Sequence, residues 1–119
     1  MAGVDPDRVV KFVSVRKFAL SLPEVTEQPH FDFGSFRVRG RIFVTVAPDQ
    51  QRIHVFLSEP DRERALALYP AFTEKLLWGG KVVGLRVALA RALPGAVRLL
   101  VRQAWSAKAP RALVARVAA

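Results

Sequence analysis

Residues 33–58 read FGSFRVRGRIFVTVAPDQQRIHVFLS, and the fold of the chain turns on how this stretch pairs with itself. Val, Ile, Phe and Thr crowd residues 36–39, 42–47 and 52–57, separated by a Gly40 turn and by Pro48-Asp49-Gln50-Gln51. β-Branched and aromatic runs between short Gly- or Pro-bearing turns are the pattern of an antiparallel meander. A lone meander is marginal in water, so helices before and after it must bury one face. The expected architecture is α+β: an antiparallel sheet of about five strands, covered on one face by N-terminal and C-terminal helices.

Register inside the first hairpin decides which side chains are covered. A three-residue loop, Arg39-Gly40-Arg41, pairs Val38 with Ile42 and gathers Phe36, Val38, Ile42, Val44 and Val46 on the covered face, leaving Arg37, Phe43 and Thr45 on the other. A two-residue Arg39-Gly40 turn pairs Val38 with Arg41 instead and breaks that parity, because one residue of slip exchanges the two faces. The first register sorts the apolar residues better and is the expected one. It leaves a basic tip with an aromatic beside it, suited to phosphate contact; arginines that protect an edge strand and aid solubility would look the same.

Working outward, Asp5-Pro6-Asp7 is a helix start, with Asp5 as N-cap and Pro6 at the first helical position. Val9, Phe12, Val13, Arg16, Ala19 and Leu20 approximate a helical stripe that Pro23 ends. Residues 24–32 read as an extended, solvated connection. They contain Glu27, His30 and Asp32, two carboxylates and an imidazole that could hold a weak divalent ion or move a proton. Ser58-Glu59-Pro60-Asp61 is a capping signature for a second helix that runs to about Tyr69.

A second hairpin follows, with a short strand at 74–77, a Trp78-Gly79-Gly80 turn and a strand at 82–89. Gly79-Gly80-Lys81 lacks the earlier glycine and the following Ser/Thr of a phosphate-cradling P-loop, so Lys81 is read as the cation of a second basic tip. A third helix enters through Leu93-Pro94-Gly95. Its core stripe is Val97, Leu100, Val101, Ala104 and Trp105, with Arg98, Arg102 and Lys108 largely opposite. Pro110 kinks or restarts it, and residues 111–117 form a last short helix.

With 119 residues, 51% of them apolar, the chain is long enough for one domain with a single core. It has no cysteine, which removes disulfides, thiol catalysis and Cys-containing zinc sites, and its only histidines are His30 and His54. No apolar run reaches membrane-spanning length and the start has no signal-peptide character, so a cytoplasmic protein without membrane attachment is expected. Charge is divided unevenly. Residues 1–74 carry ten Lys/Arg and ten Asp/Glu, whereas residues 75–119 carry nine Lys/Arg and no acid, giving the net +9. An acid-free tail of this kind favours a polyanionic partner, although Arg-rich surfaces also serve solubility alone.

Three short motifs resemble the MmcQ/YjbR-like family across nearly the whole chain: Phe18-Ala19-Leu20-Ser21-Leu22-Pro23-Glu24-Val25-Thr26-Glu27, Phe36-Arg37-Val38-Arg39-Gly40-Arg41-Ile42-Phe43, and Ala104-Trp105 with Lys108-Ala109-Pro110. The resemblance implies a CyaY-like, frataxin-like α/β sandwich and a DNA-binding "double-wing" arrangement that two basic hairpin tips would suit. It supplies no catalytic residues. Iron handling, the other activity associated with that fold, needs clustered carboxylates on the first helix, and here that helix carries Arg8, Lys11, Arg16 and Lys17.

The expected function is therefore non-enzymatic binding of nucleic acid, DNA first, by a monomer with no cofactor and no metal. Phosphate contacts would come from Arg37, Arg39, Arg41, Lys81, Arg86, Arg98, Arg102 and Lys108. The alternative is an adaptor or small-ligand domain that uses an exposed sheet face around Phe43, His54 and Phe56.

Overall fold

The computed structural model describes residues 10–118. The Asp5 cap and the helix start assigned to it lie outside these residues; the described part of the first helix, α1, spans Phe12–Ser21. It is followed by strands β1 (Val25–His30), β2 (Phe33–Val38), β3 (Arg41–Val46) and β4 (Arg52–Val55), helix α2 (Glu59–Leu68), strands β5 (Thr73–Trp78) and β6 (Lys81–Ala88), a 3₁₀ turn, and helices α3 (Pro94–Lys108) and α4 (Arg111–Ala118). The strands form one antiparallel six-stranded sheet in the order β1-β2-β3-β4-β6-β5.

The sixth strand is a correction. Residues 24–32, read above as a loop, contain β1, which pairs with β2 from Val25↔Val38 to His30↔Phe33. Its sequence, VTEQPH, is exposed at four consecutive positions. At a sheet edge neither face needs an apolar stripe, and Pro29 costs little where its missing N–H would point to solvent. The alternation that marks a strand is absent for that reason.

The first hairpin corrects the register. Arg39 (φ 52°) and Gly40 (φ 80°) form a two-residue turn, both in the left-handed region that such turns require. Val38 pairs with Arg41 and Arg37 with Ile42, yet Phe36 pairs with Val44. Phe43 is the extra residue of a β-bulge, and it absorbs the one-residue slip. Beyond the bulge the expected parity returns, with Phe36, Val38, Val44 and Val46 all buried. Phe43, expected on the open face, is instead fully buried in the core cluster, and Ile42 stands half-buried across from Arg37.

The second hairpin uses the same device. Trp78 belongs to the strand rather than the turn: it pairs with Lys81 around Gly79-Gly80, and Val83 is the bulged residue between Leu77↔Val82 and Leu76↔Gly84. Gly79 and Gly80 both have positive φ.

Helix α3 packs on β3 and β4, while α1 packs on β1 and α3. Pro94 sits in the first turn of α3, and its predicted stripe of Val97, Leu100, Val101, Ala104 and Trp105 is buried against the sheet. Each Val, Leu, Ile or Phe buried in this way contributes about 1.5–3 kcal/mol. Pro110 restarts rather than kinks the chain, separating α3 from α4. Ser58 caps α2, its Oγ accepting from the Asp61 N–H at 3.4 Å. No helix among the described residues is long and apolar enough to cross a membrane.

Candidate functional site

Strand directions bring the two basic turns together. In the order β2-β3-β4-β6-β5 with every neighbour antiparallel, the β2–β3 and β5–β6 turns lie at the same end of the sheet. Lys108 ends α3 there, since its carbonyl oxygen accepts a hydrogen bond from Arg41 Nη1 at 3.2 Å. Arg39, Arg41, Lys81 and Lys108 therefore share one end of the molecule.

They do not all point the same way. β2 lies outside β3 on one side of the sheet and β5 outside β6 on the other, so corresponding residues of the two hairpins face opposite directions. Arg41 reaches toward α3, whereas Lys81, the cross-strand partner of Trp78, stands on the face opposite the helices. Arg39 is held by a bidentate pair with Glu24, at 2.6 and 3.0 Å. That hydrogen-bonded pair lowers the Glu24 pKa below the usual carboxylate value and raises that of Arg39.

The remaining predicted cations divide between the two faces. Arg98 and Arg102 are exposed on α3, in the covering layer. Arg37 and Arg86 are half-buried on the opposite face. Arg37 donates from Nε to Ser35 Oγ at 3.1 Å, and Arg86 donates from Nη1 to Glu74 Oε1 at 3.0 Å. Among the described residues, Arg86 is the one cation of the acid-free tail within salt-bridge distance of a carboxylate.

That opposite face carries a polar row running across all six strands. Gln28 pairs with Ser35, Ser35 with Thr45, Thr45 with His54, His54 with Arg86 and Arg86 with Glu74. The row is internally bonded: Ser35 Oγ donates to the Gln28 carbonyl at 2.7 Å, and Thr45 Oγ1 and His54 Nδ1 share a hydrogen bond of 3.2 Å. No buried side-chain nitrogen or oxygen among the described residues lacks a partner. Burial first, and then the charges of Arg86 and Arg52, push the His54 pKa below its ordinary value.

Beside this row lies an open concavity of ≈ 490 Å³ lined by His30, Phe31, Asp32, Phe33, Thr45, His54 and Trp78. Phe31 is 93% exposed and Trp78 59%. The Phe33 ring lies 5.8 Å from that of His54, and Phe56 lies 6.1 Å from Trp78. His54 and Phe56 thus belong to this face as expected, but Phe43 does not. The composition of residues 24–32 gave Phe31 no special standing, and Trp78 was assigned to a turn. A signal was available: Gly40-Arg41-Ile42-Phe43 is echoed forty positions later by Gly80-Lys81-Val82-Val83, marking two equivalent hairpins.

The acid/base cluster does not assemble. Glu27 pairs with Phe36 on the covered face and binds Arg16 at 2.7 Å, whereas His30 lies on the opposite face. Among the described residues no three His, Asp or Glu side chains are placed to hold a metal ion.

The fold is similar to a crystal structure of Deinococcus radiodurans protein DR2400, described as a DUF419 domain, with a TM-score of 0.72 at 15% identity over 92% of this chain and 89% of that one. No curated protein matches the chain. The sequence model of the YjbR family matches residues 20–107. That span runs from the end of α1 through the sheet to the last turns of α3, so the chain belongs to the YjbR family.

Proposed function

We propose that this protein is a non-enzymatic nucleic-acid-binding domain, with DNA as the first candidate, and that its two hairpins act as paired wings on a frataxin-like sandwich. The observation that carries this reading is the shared location of both turns: Arg39, Arg41 and Lys81 sit at one end of the sheet, with Lys108 beside them. Backbone phosphates are recognised by cations of this kind without sequence information, and released counterions supply much of the affinity.

The test is an electrophoretic titration with duplex DNA at about 50 mM and about 200 mM salt. Binding should weaken steeply with salt, and the double variant Arg41→Ala/Lys81→Ala should lower both the affinity and the salt slope. Absence of any shift at low salt up to about 10⁻⁴ M protein rejects the proposal.

The concavity favours a second reading, a small-ligand or adaptor domain that docks its partner on the open face. Saturable binding of a small aromatic compound with no salt dependence would select it.

A further inference from the structure

We propose that the open sheet face binds unpaired bases, so that the preferred ligand is a single-stranded nucleic acid. This rests on the phosphate-binding reading above and names the substrate class it requires. A duplex buries its bases and offers only a charged backbone and groove edges to a surface without a recognition helix. A single strand offers alternating phosphates and ring faces, which call for alternating cations and exposed aromatics.

The open face supplies both. Trp78 and Lys81 are direct cross-strand partners, which places a half-exposed indole and an ammonium side by side at the hairpin end. From there the concavity runs past His54 and Phe33 to Phe31 in the β1–β2 turn. Phe31 is held at φ 57°, a conformation that non-glycine residues, and bulky ones above all, enter only at a cost. A phenyl ring that is both 93% exposed and held in strained backbone contributes nothing to the core. Its ring centroid lies 4.8 Å from that of His30, the two planes inclined at 64°.

Charge complementarity selects the occupant. Arg37, Arg52, Arg86 and Lys81 stand on this face against Asp32 and Glu74. Beyond burial, which is the larger effect, the field of Arg86 and Arg52 acts against protonation of His54. An uncharged apolar ligand would gain nothing from that field. The phosphates of a strand lying along the concavity would, while its bases stack on Trp78 and Phe31.

The experiment is fluorescence anisotropy with a labelled oligo-dT of about 12 nucleotides, compared with the same strand annealed to its complement, at about 50 mM salt. The single strand should bind at least about tenfold more tightly than the duplex. Phe31→Ala and Trp78→Ala should each weaken single-strand binding by about tenfold or more and leave duplex binding unchanged. Trp78→Phe keeps a stacking ring and should restore most of the affinity. Because Trp105 is buried, fluorescence quenching on oligo-dT addition should be present in the wild type and lost in Trp78→Phe. Equal binding of both forms, unaffected by either aromatic substitution, overturns this inference while leaving phosphate binding standing. No binding of either form overturns both.

Discussion

The Trp105 indole Nε1 donates a hydrogen bond of 3.1 Å to the Pro23 carbonyl, joining the last turn of α3 to the corner between α1 and β1. Trp105 is fully buried, where α1 and α3 pack together over the sheet. Trp105→Phe should destabilise the fold by about 1–3 kcal/mol, through the unpaired carbonyl and the smaller ring. Trp105→Ala should cost about 3–5 kcal/mol. Urea unfolding followed by circular dichroism reads both, and a Trp105→Phe variant as stable as wild type would show that the hydrogen bond contributes nothing.

Gly84 is a second point where the packing leaves no latitude. A methyl group there would meet the Val55 carbonyl oxygen at 2.7 Å and Phe56 Cδ1 at 3.1 Å. Since β4 backbone cannot give way like the end of a flexible side chain, Gly84→Ala should destabilise by about 1–3 kcal/mol, against the usual gain from replacing a strand glycine. A raised thermal midpoint would contradict the close approach.

The depressed pKa of His54 predicts a pH dependence with a definite sign. Its folded-state pKa lies below the ordinary value of 6.5, because of burial and then of Arg86 and Arg52. Below that value the unfolded chain takes up a proton that the folded one resists. The stability contribution is therefore complete above pH 6.5 and is lost as the pH falls through the lower folded-state value. His54→Gln should flatten this part of the curve, and urea midpoints at about pH 5 and about pH 8 in the two proteins measure the difference. A His54→Gln curve parallel to wild type would remove His54 as the cause.

Helix α2 buries only Ala65 among its own residues, so its start depends on local chemistry. Ser58→Ala removes the acceptor for the Asp61 N–H and should cost about 1 kcal/mol, whereas Ser58→Asp should retain most of it. Thermal denaturation of the two variants, compared with wild type, decides between a working cap and an incidental contact.

Much of the scaffold was legible in the linear chain because its signals are local. The meander, the Ser58 cap, the proline-opened α3 and its Val97–Leu100–Val101–Ala104–Trp105 stripe all arise from residues within one or two turns of each other. β1 was not legible, since an exposed edge strand need not alternate. The Arg39-Gly40 turn was one of two open choices, and the bulge at Phe43 that reconciles it with the apolar pattern depends on pairing across strands.

For the candidate site the division is sharper. The amino-acid order by itself determined that cations concentrate in the last third of the chain and at two turns. Only the tertiary structure decided that those turns share an end yet face opposite ways, and that Phe31 and Trp78, forty-seven positions apart, line one concavity. The physical reason is that strand order in a sheet is set by which hydrophobic faces meet the helices, a long-range choice that no local window of residues contains.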